Sequence, residues 1–279
     1  MKITKSSGLT EEFDIRKLSN SLMRSGAPPE VADEIAAKVQ EKISPLFRTK
    51  DIYRLARKLL KHYNLASGMK YSLKKALFAL GPSGYPFEKY VARILDAHGY
   101  SAMVGQFIEG YCVKHEVDVV ASKGNEHYFI ECKYHSNGGK ATDVKVAMYI
   151  HSRFLDIKKA CELMPEHADT VHNGWLVTNT RCTSDAVKYA ECVGLKMLSW
   201  GYPEKESLQK MIELKRLYPV TILPAARKKY LETLIKNDII LAQDIADLDE
   251  MTFLKKSGLD PNTSKILKKQ ADELCPCTA

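Results

Sequence analysis

The chain has 279 residues, of which 45% are hydrophobic and 27% charged, with a formal net charge of +8 and seven cysteines. That is enough for one large domain or two to three small ones, each with a real core. No run of eighteen apolar residues spans a membrane, Met1-Lys2-Ile3-Thr4-Lys5 lacks a secretory apolar stretch, and an odd, scattered set of cysteines argues against a disulfide framework, so a cytoplasmic protein with reduced thiols is expected.

The charge is placed unevenly. Residues 1–80 hold sixteen Lys/Arg against eight Asp/Glu, whereas residues 81–220 hold seventeen of each and residues 221–279 nine of each. A local basic excess favours a polyanionic partner, a nucleotide or a nucleic acid.

In chain order, residues 2–14 read as a short hairpin turning at Ser6-Ser7-Gly8. A first helix carries Ile15, Leu18 and Leu22 on one stripe and stops at Gly26-Ala27-Pro28. A second repeats Val31, Ile35, Val39 and Ile43. A third, with Thr49 as its expected N-cap, carries Ile52, Leu55, Leu59 and Tyr63. A fourth, about Met69 to Leu80, runs into the breaker cluster Gly81-Pro82-Ser83-Gly84. The rhythm then changes. A helix stripe of Phe87, Val91, Ile94 and Leu95 precedes three strand-like runs, Ser101–Ile108, Val117–Ala121 and Tyr128–Glu131. A long helix, Val144–Leu163, the apolar run Trp175–Thr178, a short helix through Ala186 and Tyr189, and a last strand, Leu195–Trp200, complete the set. The order α-β-β-β-α-β-α-β predicts an α/β domain with a mixed sheet flanked by helices. The divisions expected are 1–81, 82–220 and a helical segment, 221–279.

The most specific chemistry lies in Glu116-Val117-Asp118 and Glu131-Cys132-Lys133. Side chains alternate along a strand, so Glu131 and Lys133 share a face roughly 7 Å apart, with Cys132 turned the other way. A hairpin turning at Ser122-Lys123-Gly124-Asn125 can set Asp118 beside Glu131. Two carboxylates and a backbone carbonyl suit Mg²⁺, a hard cation that prefers oxygen, and a neighbouring ammonium can orient water and offset developing charge. Asp118, Glu131 and the Cys132 carbonyl are the expected metal ligands, and Lys133 the water-positioning cation. His115, His127 and His135 read as surface histidines, and Lys140, Lys145 and Arg153 as candidates for DNA phosphate contacts.

On these residues the stretch from Pro86 to Leu217 resembles the Mrr-type restriction endonucleases of the PD-(D/E)xK superfamily. The resemblance runs through Phe87-Glu88-x-x-Val91, Gly99-Tyr100, Glu116-Val117-Asp118, Glu131-Cys132-Lys133 and Trp175-Leu176-Val177-Thr178-Asn179-Thr180. It implies a restriction-endonuclease-like fold and Mg²⁺-dependent cleavage of double-stranded DNA, with Asp118, Glu131 and Lys133 on the catalytic positions and Glu88 assisting the metal site. Many Mrr relatives carry Gln where Glu131 stands.

Residues 3–80 resemble the ATP-cone domain through Ile3-x-Lys5-x-x-Gly8, Glu12-Phe13-Asp14-x-x-Lys17-Leu18, Thr49-x-x-Ile52-Tyr53 and Tyr71-x-x-Lys74. That resemblance implies a small hairpin capped by helices that binds ATP or dATP as an effector. Lys5 and Lys17 would face the phosphates, backbone near Gly8 would approach them, and Thr49 and Tyr53 would touch the nucleotide. Ser6-Ser7 replaces the family's usual basic–acidic pair. The segment Phe253-Leu254-x-x-x-Gly258-Leu259-Asp260 with Ile266-Leu267 resembles a helix–hairpin–helix, and a helical cap on the nuclease is expected there. The sequence thus reads as a DNA endonuclease under adenine-nucleotide control, with no membrane partner and with self-association left open. The alternative is a nucleotide-responsive DNA-binding or regulatory protein whose nuclease fold does not cut.

Overall fold

The computed structural model describes residues 2–4, 10–44, 47–165 and 169–276. Strands β1 (Lys2–Thr4) and β2 (Thr10–Glu12) pair antiparallel, Ile3 opposite Glu11. The expected turn at Ser6-Ser7-Gly8, and with it Lys5 and Gly8, lies outside the described residues. Asp14 starts α1 (Ile15–Arg24) by accepting hydrogen bonds from the Arg16 and Lys17 amides at 2.9 and 3.1 Å. Pro29 opens α2 (Pro29–Lys42), where a missing N–H removes no helical bond. Thr49 does not cap α3 (Thr49–Tyr63). Arg48 holds the cap position, and the Thr49 hydroxyl donates to the Thr4 carbonyl at 3.3 Å, tying α3 to β1. Leu18, Leu22, Ile35, Val39, Ile52 and Leu60 meet in one core. Each fully buried apolar side chain of this size contributes roughly 1.5–3 kcal/mol.

The helix expected about Met69–Leu80 is instead two short ones, α4 (Leu65–Lys70) and α5 (Leu73–Leu77). Asn64 accepts the Ser67 amide at 2.8 Å and starts the helix early, and the Ser72 hydroxyl bonds back to the Gly68 carbonyl at 3.0 Å where the path breaks.

The helix α6 (Tyr85–Ala97) buries Phe87, Tyr90, Val91, Ile94 and Leu95. It is followed by a three-stranded meander of β3 (Ser101–Glu109), β4 (Lys114–Lys123) and β5 (Glu126–Lys133). After the short β6 (Ala141–Thr142), α7 (Val144–Glu162) leads to β7 (Val171–Thr178); β8 (Arg181–Cys182), α8 (Ser184–Val193), β9 (Lys196–Leu198) and α9 (Leu208–Lys215) follow. The main sheet has the order β3-β4-β5-β7-β9, antiparallel from β3 to β5 and parallel from β5 to β9, and β6 pairs with β8 beside it. The mixed sheet flanked by helices therefore matches the expected α/β order. Ala147 and Ile150 of α7 and Ala186 and Ala190 of α8 pack with Leu176 and Met197, while Ile157 and Cys161 of α7 pack with Phe129.

The last segment holds a 3-10 turn (Val220–Ile222), α10 (Lys228–Lys236), α11 (Gln243–Ala246), α12 (Glu250–Ser257) and α13 (Pro261–Leu274). It does not belong to the nuclease-like unit as the expected cap would. Leu80–Leu217 forms one compact unit, and the chain before it folds together with the chain after it into the other. The Thr221 hydroxyl donates to the Ala76 carbonyl at 2.8 Å, and α13 packs on α4. The reason is size: Leu234, Ile239, Ile240, Phe253 and Leu267 are fully buried, and a segment this short cannot cover so much apolar surface alone. Gly258, at φ +65°, ends α12, and Asp260 accepts the Thr263 amide at 2.9 Å to start α13 two residues later. Among the described residues no helix is long and apolar enough to cross a membrane.

Candidate active site

Asp118 and Glu131 come together through the pairing of β4 with β5. The ladder runs from Lys123 opposite Glu126 to Val119 opposite Ile130. One step further, Asp118 stands level with Glu131, and partners in an antiparallel pair share a face. At this point the ladder is replaced by a side chain: the Cys132 amide donates to Asp118 Oδ2 at 2.7 Å. Lys133, exposed at the end of β5, holds its backbone through the Thr178 hydroxyl, which donates to the Lys133 carbonyl at 2.7 Å. Glu88 arrives from the first turn of α6.

The electrostatics describe a crowd of carboxylates. Burial, followed by the charges of Asp118 and Glu116, pushes Glu88 up to about 7. Glu131 is also pushed up to about 7, first by burial and then by Asp118, against the opposing pull of Arg153. Burial raises Asp118 as well, resisted by the Cys132 amide, Arg153 and Lys133. Acids held this far from water and this near to each other are short of positive charge.

Arg153 supplies part of that charge. Sequence reading places it on a DNA-facing surface. In the structure its guanidinium reaches inward from α7, donates to Glu131 and to the Glu116 carbonyl, and meets His115 Nδ1 at 3.4 Å. Its side chain is only 17% exposed. His115 is likewise buried, not superficial, and its Nε2 lies 2.8 Å from Asp156, which also accepts the Cys112 amide at 2.8 Å. His135 lies in a buried polar cluster, its amide donating to Asn179 Oδ1 at 2.9 Å while Asn179 Nδ2 donates to the His135 carbonyl at 2.7 Å. The signal available for Arg153 was a cation on the polar side of a helix, which solvent exposure explains equally well. Asn179 was visible only as part of a strand-end motif. Lys140 and Lys145 are exposed as expected.

Residues 81–199 match a restriction endonuclease family, and residues 218–275 match the AF1548-like C-terminal family. An uncharacterized protein of Archaeoglobus fulgidus is 36% identical over 184 residues, which make up 66% of this chain and 99% of that one. A crystal structure described as that of AF1548, a protein of unknown function, aligns with a TM-score of 0.60 and 35% identity over 69% of this chain and 98% of that chain. The chain belongs to the AF1548-like family.

In this AF1548-like chain the restriction-endonuclease match coincides with the unit that carries Glu88, Asp118, Glu131 and Lys133. The ATP-cone resemblance rests on its sequence motifs alone. Of the residues it singles out, Lys17 is exposed on α1, and Thr49 is engaged with Thr4. Tyr53 stacks on Tyr71 at 5.3 Å and 11°, with its hydroxyl buried and without a hydrogen-bond partner among the described residues.

The donors at the carboxylate end suit a hard divalent ion in kind: all are oxygens, and all are crowded by like charge. Among the described residues no three His, Cys, Asp or Glu side chains converge closely enough to hold a metal ion. Glu131 is turned onto Arg153 and Asp118 onto the Cys132 amide. Exchanging the arginine contact for a cation is the rearrangement that ligation requires.

Proposed function

We propose that the unit Leu80–Leu217 is a Mg²⁺-dependent DNA endonuclease, with Asp118, Glu131 and the Cys132 carbonyl as the metal's ligands, Lys133 beside the attacking water and Glu88 in support. The observation that carries this reading is the level placement of Asp118 and Glu131 on paired strands within a domain of the restriction endonuclease family. When bound, the ion would polarise a phosphodiester and lower the pKa of a coordinated water.

The chain's own residues have separable tasks. Asp118, fixed by the Cys132 amide, sets where the phosphate can sit. Lys133, two residues past Glu131 on the same strand, orients water and offsets the negative charge that builds on the phosphate oxygens. Glu88 at about 7 is able to hold or release a proton near neutral pH, which suits transfer to or from water. Arg153 stabilises Glu131 in the arrangement seen here, and with Glu131 committed to a cation its guanidinium would be available to phosphate, which it binds well. The matched family favours double-stranded DNA as the partner. Plasmid nicking in Mg²⁺ tests the reading: cleavage that persists unchanged in Glu131→Ala or Lys133→Ala would remove this site from the mechanism.

The finer reading adds adenine-nucleotide control by the N-terminal segment. It is supported by its basic excess and by Tyr53 and Arg57, whose hydroxyl and Nε are buried without hydrogen-bond partners among the described residues. Calorimetric titration with ATP and dATP tests it; absence of heat from both would rule it out.

A further inference from the structure

Within Leu80–Leu217, away from the carboxylates, lies a cavity of about 890 Å³, within the size range of small-ligand sites. It stands at the other end of the β4–β5 hairpin: Lys123, on its wall, follows Asp118 by five residues, roughly 17 Å along a strand. Its aromatic part consists of Tyr100, Trp175 and Tyr202. Tyr100 and Trp175 belong to a ring cluster completed by Tyr128, with centroids 5.3 to 5.9 Å apart. Four lysines line the same space, Lys123, Lys196, Lys205 and Lys210, against two carboxylates, Glu206 and Glu213.

The lysines are not equivalent. Lys123 lies 4.6 Å from the Tyr100 ring centre and donates to the His98 carbonyl, and Lys196 is 3.5 Å from Glu126. Lys205 and Lys210 make no ion pair with any described residue, whereas Glu213 accepts from Gln209 at 2.7 Å. The cavity therefore combines the partly buried Tyr100 and Tyr202 and the buried Trp175 with two lysines, Lys205 and Lys210, that are not committed to an ion pair among the described residues. Aromatic rings stack on any base, and lysines hold phosphate as point charges. A purely apolar ligand would leave the ammonium groups without use, and a bare anion would leave the rings without use.

We infer that this cavity binds a nucleobase carrying a phosphate, the base against Tyr100, Trp175 and Tyr202 and the phosphate among Lys196, Lys205 and Lys210. The shared chemistry has two sources, a free mononucleotide or an unstacked base within a single strand. The inference does not depend on cleavage at Asp118 and Glu131.

The chain has two tryptophans, so Trp200→Phe leaves Trp175 as the sole indole reporter. The full-length protein is titrated in EDTA, which excludes metal-dependent hydrolysis, with AMP, with a short 5′-phosphorylated oligothymidylate and with inorganic phosphate. A saturable change in Trp175 emission with a midpoint below ~1 mM is expected for AMP or the oligonucleotide. Lys205→Glu/Lys210→Glu should weaken it about tenfold or more, because like charges now meet the phosphate, at an unchanged thermal midpoint. A response to AMP at least as strong as to the oligonucleotide identifies a free nucleotide; a markedly tighter oligonucleotide identifies a strand. No response to either at several times that concentration, a response that inorganic phosphate reproduces, or one that survives the double reversal overturns the inference. Repeating the titration in Asp118→Asn separates the two readings: loss of cleavage with an intact Trp175 response leaves this site standing, whatever becomes of the nuclease.

Discussion

The β4–β5 hairpin carries opposite chemistry at its two ends. Around Asp118 and Glu131 the carboxylates outnumber the cations Arg153 and Lys133, and burial first, mutual repulsion second, pushes two carboxyls, Glu88 and Glu131, up to about 7. Around Lys123 and Glu126 the charges are mixed and better satisfied: Lys196 is near both Glu126 and the Tyr128 ring, and Glu126 is held below the usual range, first by the Tyr128 hydroxyl. One hairpin thus separates a region short of a cation from a region that offers cations. The lesson is that electrostatic dissatisfaction, more than charge itself, marks where chemistry is to be sought.

Four changes would break or sharpen that contrast. The largest effect is expected from Asp118→Asn, which removes a proposed metal ligand while keeping shape: Mg²⁺-dependent nicking should fall about 1,000-fold, with an unaltered circular-dichroism spectrum. Lys133→Ala should lower the rate about 100-fold, and Lys133→Arg should recover part of it, because a cation remains but its point geometry is lost. Arg153→Ala leaves Glu131 largely buried without its partner, and in EDTA at pH 8 should destabilise the unit by about 2 kcal/mol. Added Mg²⁺ should restore most of that loss, read as a return of the thermal midpoint; destabilisation that Mg²⁺ leaves untouched would mean that Arg153 does not stand in the cation's place.

The smallest effect concerns pH. Glu88 and Glu131 bind protons with folded values near 7 and ordinary values of 4.5. Between those limits the folded chain retains protons that the unfolded chain has released, so stability falls as pH rises from 4.5 to 7 and the loss is complete above it. Without divalent ions the thermal midpoint should be about 5 °C higher at pH 5.5 than at pH 8. A flat profile would show that the carboxylates are not crowded, and the contrast between the two ends would collapse. Glu116→Gln in the same experiment should flatten it partially, since Glu116 contributes to raising Glu88.

Much of this unit was legible in the chain. Alternation on β5 put Glu131 and Lys133 on one side, and the turn length put Asp118 opposite, because strand geometry has a short, fixed period. What escaped depended on contacts distant in sequence. Arg153 lies twenty-two residues from Glu131, and nothing in its helical spacing distinguishes an inward arginine from a solvated one. The docking of α13 on α4 joins opposite ends of the chain and leaves no local pattern. Thr49 illustrates the limit of capping rules: it is the first helical residue and not the cap, and its hydroxyl donates to the Thr4 carbonyl of β1.

The reciprocal pairing of Asn179 with the His135 backbone has a consequence for fidelity. The Asn179 side chain is fully buried and grips the main chain two residues beyond Lys133 from the strand next door. Were β5 to slide one position along β7, Cys132 and Tyr134 would be presented where Glu131 and Lys133 now stand, and the proposed site would lose its carboxylate and its ammonium with the sheet still intact. An amide bonded in both directions fits one alignment alone. It serves as an index mark, keeping the acid and the base of a short strand in phase with their opposite partner.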